Sequence, residues 1–341
     1  MNVFELNIRV LGGLLSAHYI AADPRQNFGS YSGCLLDAAV GLADRMLPAF
    51  DTKTHIPNPW INLATGRIIG DSRTQCTAGA GTLLLEFGLL TRLTGDKTYH
   101  NVAMQALRSL WCSPRSTLPC TAHSRMWPPM LTSGAHRSRR SAIGLVGNTI
   151  DNLSGRWTNE NAGIGAGVDS FYEYLLKAYV VFGHDDPATA SELWGMWSEA
   201  YAAVNKYLKK GAWYVQSHMR TGRVVHNQFD SLQAFWPALQ VLAGDVGQAV
   251  ETHGVFYSLW QKFGYLPESY LLSSDTIHPS LKYYPLRPEL AESTYALYRV
   301  TRDPYYLRVG QHILKSLNEA PRVAGGFATL KDVTTKVLED R

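Results

Sequence analysis

Three short motifs in this sequence set carboxylates among apolar or glycine-rich neighbours, where acid–base chemistry is done. Phe4-Glu5-x3-Arg9 opens a strongly apolar run that continues to Leu15. Glu5 and Arg9 stand four apart and share a helix face, so an ion pair can hold an inward-facing acid; the same spacing also serves a purely structural salt bridge. Gly165-Ala166-Gly167-Val168-Asp169-Ser170 puts Asp169 after glycines that let a ligand or backbone approach closely, and where a helix N-cap would sit. Leu286-Arg287-Pro288-Glu289-x2-Glu292-Ser293 opens a helix with Pro288 in its first turn. Glu289 and Glu292 project from one end of it, where acids also serve the helix dipole. Glu268, after Leu266-Pro267, and Glu86, within Leu83-Leu84-Leu85-Glu86-Phe87, are further acids in apolar context.

Hydrolysis of a glycosidic bond needs two carboxyl groups flanking it, one acting as acid and one as base. Scattered oxygen ligands also suit calcium. There is no EF-hand loop, zinc motif, phosphate-binding loop, dinucleotide fingerprint or nucleophile elbow.

Separated acids can meet only if a scaffold brings them together, and the sequence shows a repeating one. Arg92-x-Thr94-x-Asp96-x2-Tyr99-x2-Val102-x4-Leu107-x-Ser109-Leu110 recurs 207 residues later as Arg299-x-Thr301-x-Asp303-x2-Tyr306-x2-Val309-x4-Leu314-x-Ser316-Leu317. Looser versions carry Asp185 and Asp245. In each, an apolar stretch ends, a short turn carries Asp, and a second amphipathic stretch begins. Such an Asp caps the free amides of the second helix, and a preceding Gly ends the first. The unit is a helical hairpin. The Asp intervals are 89, 60 and 58 residues, and the excess in the first matches 112–140, rich in Pro, Ser and Arg and without helical period. That stretch reads as a disordered insertion.

Helices are expected at about 3–20, 33–48, 78–94, 97–111, 167–182, 187–208, 231–243, 246–263, 289–301 and 304–318, with short β hairpins at 54–70 and 211–228. Hairpins repeating without strand–helix alternation predict an all-α toroid. No linker is visible, so residues 1–341 read as one domain.

Composition agrees. Of 341 residues, 45% are apolar, enough for a sizeable core, and nine Trp with eighteen Tyr suit either that core or sugar-stacking surfaces. The net charge of +4 is weak, and its basic excess is local: residues 113–140 hold five Arg and no acid. Nucleic-acid binding is therefore not expected. Cys34, Cys76, Cys112 and Cys120 lack metal-ligand spacing. No apolar run reaches the ~18–20 residues of a membrane span. No signal peptide precedes the first motif.

Together these motifs resemble glycoside hydrolase family 47, the class I α-1,2-mannosidases, and within it the endoplasmic reticulum (ER) degradation-enhancing branch. The resemblance runs through 3–18, 47–50, 76–96, 144–155, 163–176, 230–245, 266–268, 284–298 and 326–341. It implies an (α/α)7 barrel, here truncated at both ends, and an inverting hydrolase that uses Ca2+. Glu5 would match the general acid, and Asp169 and Glu289 the acids with base or water-activating roles. Arg9, Glu86, Glu268, Arg287 and Glu292 would line the sugar pocket. In an inverting site the carboxyls stand ~6.5–9.5 Å apart, and a buried pocket keeps the acid protonated. Trimming enzymes of the family carry Arg where this chain has Gly167, which points to the degradation-enhancing branch. The segment with the calcium-binding Thr lies beyond Arg341, so no metal ligand is assigned. The resemblance implies removal of α-1,2-linked mannose from high-mannose N-glycans of misfolded glycoproteins in the ER lumen, with an ER oxidoreductase as a candidate partner. The alternative is a glycan-binding, lectin-like protein without catalysis.

Overall fold

A computed structural model describes residues 1–26, 28–70, 73–111 and 140–339. The expected insertion at 112–140, apart from Arg140, lies outside the described residues, as do Cys112 and Cys120.

Helices dominate: Gly12–Ala22, Cys34–Met46, Leu84–Thr94, Lys97–Trp111, Asp169–Phe182, Pro187–Tyr207, Trp236–Leu242, Val246–Phe263, Glu289–Thr301 and Pro304–Glu319. Each falls within an expected span, except that Gly12–Ala22 runs two residues past 3–20 and Pro304–Glu319 one residue past 304–318. The repeated turn makes the same capping bonds in both copies. Asp96 Oδ1 accepts from the Thr98 N–H at 2.8 Å, and Asp303 Oδ1 from the Tyr305 N–H at 2.8 Å. Thr94 and Thr301 each donate back to a carbonyl one turn earlier at 2.7 Å, Leu90 and Leu297 respectively. The left-handed residue that ends the first helix is Gly95 in one copy (φ 80°) and Arg302 in the other (φ 58°). A side chain is strained there and glycine is not.

Within the chain, contacts group into two compact units. The first comprises Met1–Ala162 and Ser170–Ala203, the second Gly163–Asp169 and Val204–Arg341. Two boundaries bracket the Gly-rich run 163–169 that leads into the helix Asp169–Phe182, and a third falls inside Pro187–Tyr207.

The first unit is helical around Leu11, Leu15, Ala43 and Phe87, all buried, with the Phe50 and Phe87 rings 5.5 Å apart. A three-stranded antiparallel sheet, Thr74–Cys76, Thr149–Asp151 and Trp157–Asn159, joins it. The expected hairpin at 54–70 is reduced to isolated bridges, Asn2 with Trp60 and Ile61 with Ile68. The second unit packs Phe229, Phe256, Trp260, Tyr265 and Tyr284 into an aromatic core, with Phe229 and Phe256 4.8 Å apart. The expected strands at 211–228 form as Trp213–Tyr214, Gln216–His218 and Val224–His226, and Gln228–Asp230 pairs with Ser269–Leu271. That pairing sets Asp230 opposite Ser269, next to Glu268.

Candidate active site

In the first unit the acid-bearing helix is not regular. Val3–Glu5 starts as α-helix, Leu6–Leu11 winds as a π-helix, and α-helix resumes at Gly12. π segments commonly mark functional positions. The Glu5 carboxylate pairs with the Arg9 guanidinium, as the spacing predicts. Both side chains are exposed, Glu5 at 47% and Arg9 at 71%. Glu5 is thus an exposed, ion-paired carboxylate rather than a covered one. The Asn2 side chain caps this helix, accepting from the Glu5 N–H at 3.0 Å.

Glu86, also in the first unit, is largely covered. Asn7 donates to its Oε2 at 2.7 Å, and the Tyr174 hydroxyl to its Oε1 at 2.7 Å. Burial pushes its carboxyl above the ordinary range, and these two donors counter it only in part. Asn7 also donates to the Thr82 carbonyl at 3.0 Å, so one amide ties the π segment to the helix carrying Glu86. Asn7 and Tyr174 were not singled out in the sequence.

In the second unit five acids, Glu268, Glu289, Glu292, Asp169 and Asp230, gather about the start of the helix Glu289–Thr301. Arg287 forks onto Glu268, Nε to Oε2 at 2.9 Å and Nη2 to Oε1 at 2.5 Å, and the Ser231 hydroxyl adds a third bond to Oε2 at 2.8 Å. The Arg287 guanidinium is shifted further up by this pair. Leu286, just before it, holds a left-handed φ of 61°, a strained conformation for a branched side chain. Glu289 and Glu292 begin the helix together but differ in burial: Glu292 is exposed and Glu289 is largely covered. Glu289 Oε2 is buried with no hydrogen-bond partner among the described residues. Burial lifts the Glu289 carboxyl to about 7; backbone hydrogen bonding and Arg287 oppose the shift, while the charges of Glu292 and Asp169 add to it.

Asp169 is the first residue of its helix, not its cap; its N–H donates to the Gly165 carbonyl at 3.0 Å. Asp230 completes the group and was missed. Its Oδ2 accepts from the Ala166 N–H at 3.1 Å and its Oδ1 from the Leu232 N–H at 2.9 Å. A Cβ on Gly165 would come within 2.9 Å of this carboxylate, which is why that position is glycine. Burial holds the Asp230 carboxyl above its usual range despite both N–H bonds. Gly167 adopts φ 85°, a conformation that glycine takes without strain.

Calcium takes six to eight oxygens at about 2.3–2.6 Å. The donor chemistry suits it, yet among the described residues no group of three or more His, Cys, Asp or Glu side chains could hold a metal ion. Glu268 is committed to Arg287 and Ser231, and Asp230 to two backbone N–H groups. The carboxylates present do not assemble a calcium cage.

A helical-hairpin scaffold presenting buried carboxyls defines the class, and solved structures define the fold within it. An α-1,2-mannosidase from Trichoderma reesei superposes with a TM-score of 0.81 at 22% identity, over 98% of this chain and 71% of that one. A cellobiose 2-epimerase from Spirochaeta thermophila gives 0.66 at 10% identity over 99% and 79%. The fold class is the (α/α)7 barrel. The sequence profile of glycosyl hydrolase family 47 matches residues 1–341, and the chain belongs to that family. It is 48% identical to Alpha-mannosidase I MNS5 of Arabidopsis thaliana over all of this chain and 54% of that protein. It is 39% identical to ER degradation-enhancing alpha-mannosidase-like protein 2 of Homo sapiens, again over all of this chain and 54% of that protein. The chain thus spans about half the length of these relatives. Enzymes of the family are generally calcium-dependent.

Proposed function

We propose that this chain belongs to an inverting α-1,2-mannosidase that removes mannose from high-mannose N-glycans of misfolded glycoproteins in the ER lumen, marking them for disposal. The observation that carries the reading is Glu289: a mostly buried carboxyl raised to about 7, beside the Arg287–Glu268 fork and the charge of Asp169. A carboxyl that titrates near the working pH exchanges protons with the glycosidic oxygen or with water efficiently. Glu5 acts as general acid, and Asp169 and Glu289 prepare the water. Arg287, Glu268, Glu292 and Glu86 hold sugar hydroxyls, with Arg9 steadying Glu5. The names of the relatives support the substrate class and the ER location. Ca2+ is its cofactor, a reading supported by the family's general calcium dependence. An ER oxidoreductase stays a candidate partner.

A second assignment exchanges the two acids' roles, with Glu289 as the proton donor. It is favoured by the contrast between the covered Glu289 and the exposed, ion-paired Glu5. The test is mannose release from a high-mannose glycan by the protein, by Glu5→Gln and by Glu289→Gln. Full activity in Glu5→Gln removes Glu5 from the mechanism and leaves the second assignment. Glycan binding with no product from the unaltered protein contradicts hydrolysis and leaves a lectin.

A further inference from the structure

We propose that Trp60 is an aromatic platform on which a neutral pyranose ring of the glycan stacks beside Glu5. The inference rests on the mannosidase reading and adds a binding residue to it.

The geometry begins with the backbone. The Val3 N–H donates to the Pro59 carbonyl at 2.9 Å, and the Ile61 N–H to the Met1 carbonyl at 2.9 Å. These bonds flank the antiparallel bridge between Asn2 and Trp60. Asn2 and Trp60 are therefore a non-hydrogen-bonded pair, in which the Cα atoms approach to about 4.5 Å and both side chains leave the same face. The Asn2 side chain on that face reaches the Glu5 N–H at 3.0 Å. One side chain thus separates the indole of Trp60 from the start of the helix that carries Glu5.

The ring is open and its mounting is stiff. Among the described residues two tryptophans are exposed, Trp60 at 45% and Trp194 at 46%. Trp194 has an aromatic neighbour, the Tyr179 ring at 5.0 Å. No ring or cation among the described residues stacks on Trp60. Its backbone is held by the bridge to Asn2 and by the Ile69 N–H, which donates to the Trp60 carbonyl at 3.2 Å, while Pro59 fixes the preceding φ. A large indole with few rotatable bonds on a pinned backbone loses little freedom on binding. Such a surface suits the C–H face of a sugar and adds affinity without moving protons.

Steady-state cleavage of methyl α-1,2-mannobioside by the protein and by three variants tests this. Trp60→Ala and Trp60→Leu are expected to raise KM about tenfold, with kcat within about twofold. Trp60→Phe, which keeps an aromatic face, is expected to stay within about threefold of the original KM. An unchanged KM in Trp60→Ala, or rescue by Leu as complete as by Phe, overturns the stacking role. Because Leu and Phe fill the same position with apolar side chains, the comparison survives a failure of the Ala variant to fold. If the unaltered protein cleaves the disaccharide but KM ignores Trp60, only this inference falls; if it neither binds nor cleaves, the mannosidase reading falls with it.

Discussion

The Arg287 guanidinium and the Glu268 carboxylate meet fork to fork, with bonds of 2.9 and 2.5 Å, and Ser231 takes up a lone pair of the same carboxylate. Side-chain exposure is 28% for Arg287 and 13% for Glu268, so the pair is well covered though not dry. Two parallel charge-assisted bonds fix orientation as well as charge. Removing Arg287 leaves a mostly buried, charged Glu268. Arg287→Ala is expected to lower stability by about 2–3 kcal/mol, measured by chemical denaturation, and Arg287→Lys to recover only part because a point charge cannot fork. Equal stability of the Lys variant and the unaltered protein would contradict the bidentate pairing.

Glu289 makes stability depend on pH. Its folded-state carboxyl is raised from 4.5 to about 7. The folded state therefore binds a proton more tightly than the unfolded state. Below the unfolded value both states are protonated and there is no cost; as pH climbs through the interval to about 7, the fold loses stability. Glu289→Gln removes this dependence. The variant is expected to match the unaltered protein near pH 4 and to exceed it at pH 8, by as much as about 3 kcal/mol. Thermal unfolding at the two pH values reads the difference, and a variant less stable at pH 8 would contradict the burial argument.

Gly165 is required by a close approach. Gly165→Ala would put its Cβ 2.9 Å from the Asp230 carboxylate, which two backbone N–H groups hold in place. Displacing that carboxylate costs part of both bonds, so a loss of about 1–3 kcal/mol is expected by denaturation. No change would mean that the carboxylate is free to turn away.

Arg302 occupies the left-handed position that Gly95 fills in the other repeat. Arg302→Gly is expected to stabilise the fold by about 0.5–1 kcal/mol through relief of strain, and Gly95→Arg to destabilise it similarly. A destabilised Arg302→Gly would show that the Arg side chain contributes more than its backbone costs.

Local chemistry was legible in the sequence and distant chemistry was not. The Asp96 and Asp303 turns could be read because cap, turn and helix lie within a few residues, and the structure repeats their capping bonds. The π-helical winding of Leu6–Leu11 could not, because that run is apolar on nearly every side and shows no period to measure. Asp230 was passed over because the residues that identify it, Gly165 and Ala166, lie 65 and 64 positions upstream. The contrast between Glu289 and Glu292 was also hidden: both are first-turn acids, and only packing decides which one is covered. At 54–70 a hairpin was expected, but its pairing reduces to the single bridge between Ile61 and Ile68.

Hydrolysis with inversion at a carboxyl pair is the central claim, and proton NMR of mannose release from methyl α-1,2-mannobioside tests it most directly. The account predicts that the first mannose released by the protein is the β anomer and that Glu289→Gln slows release by at least about 100-fold. Release of the α anomer, or undiminished turnover in Glu289→Gln, would contradict it.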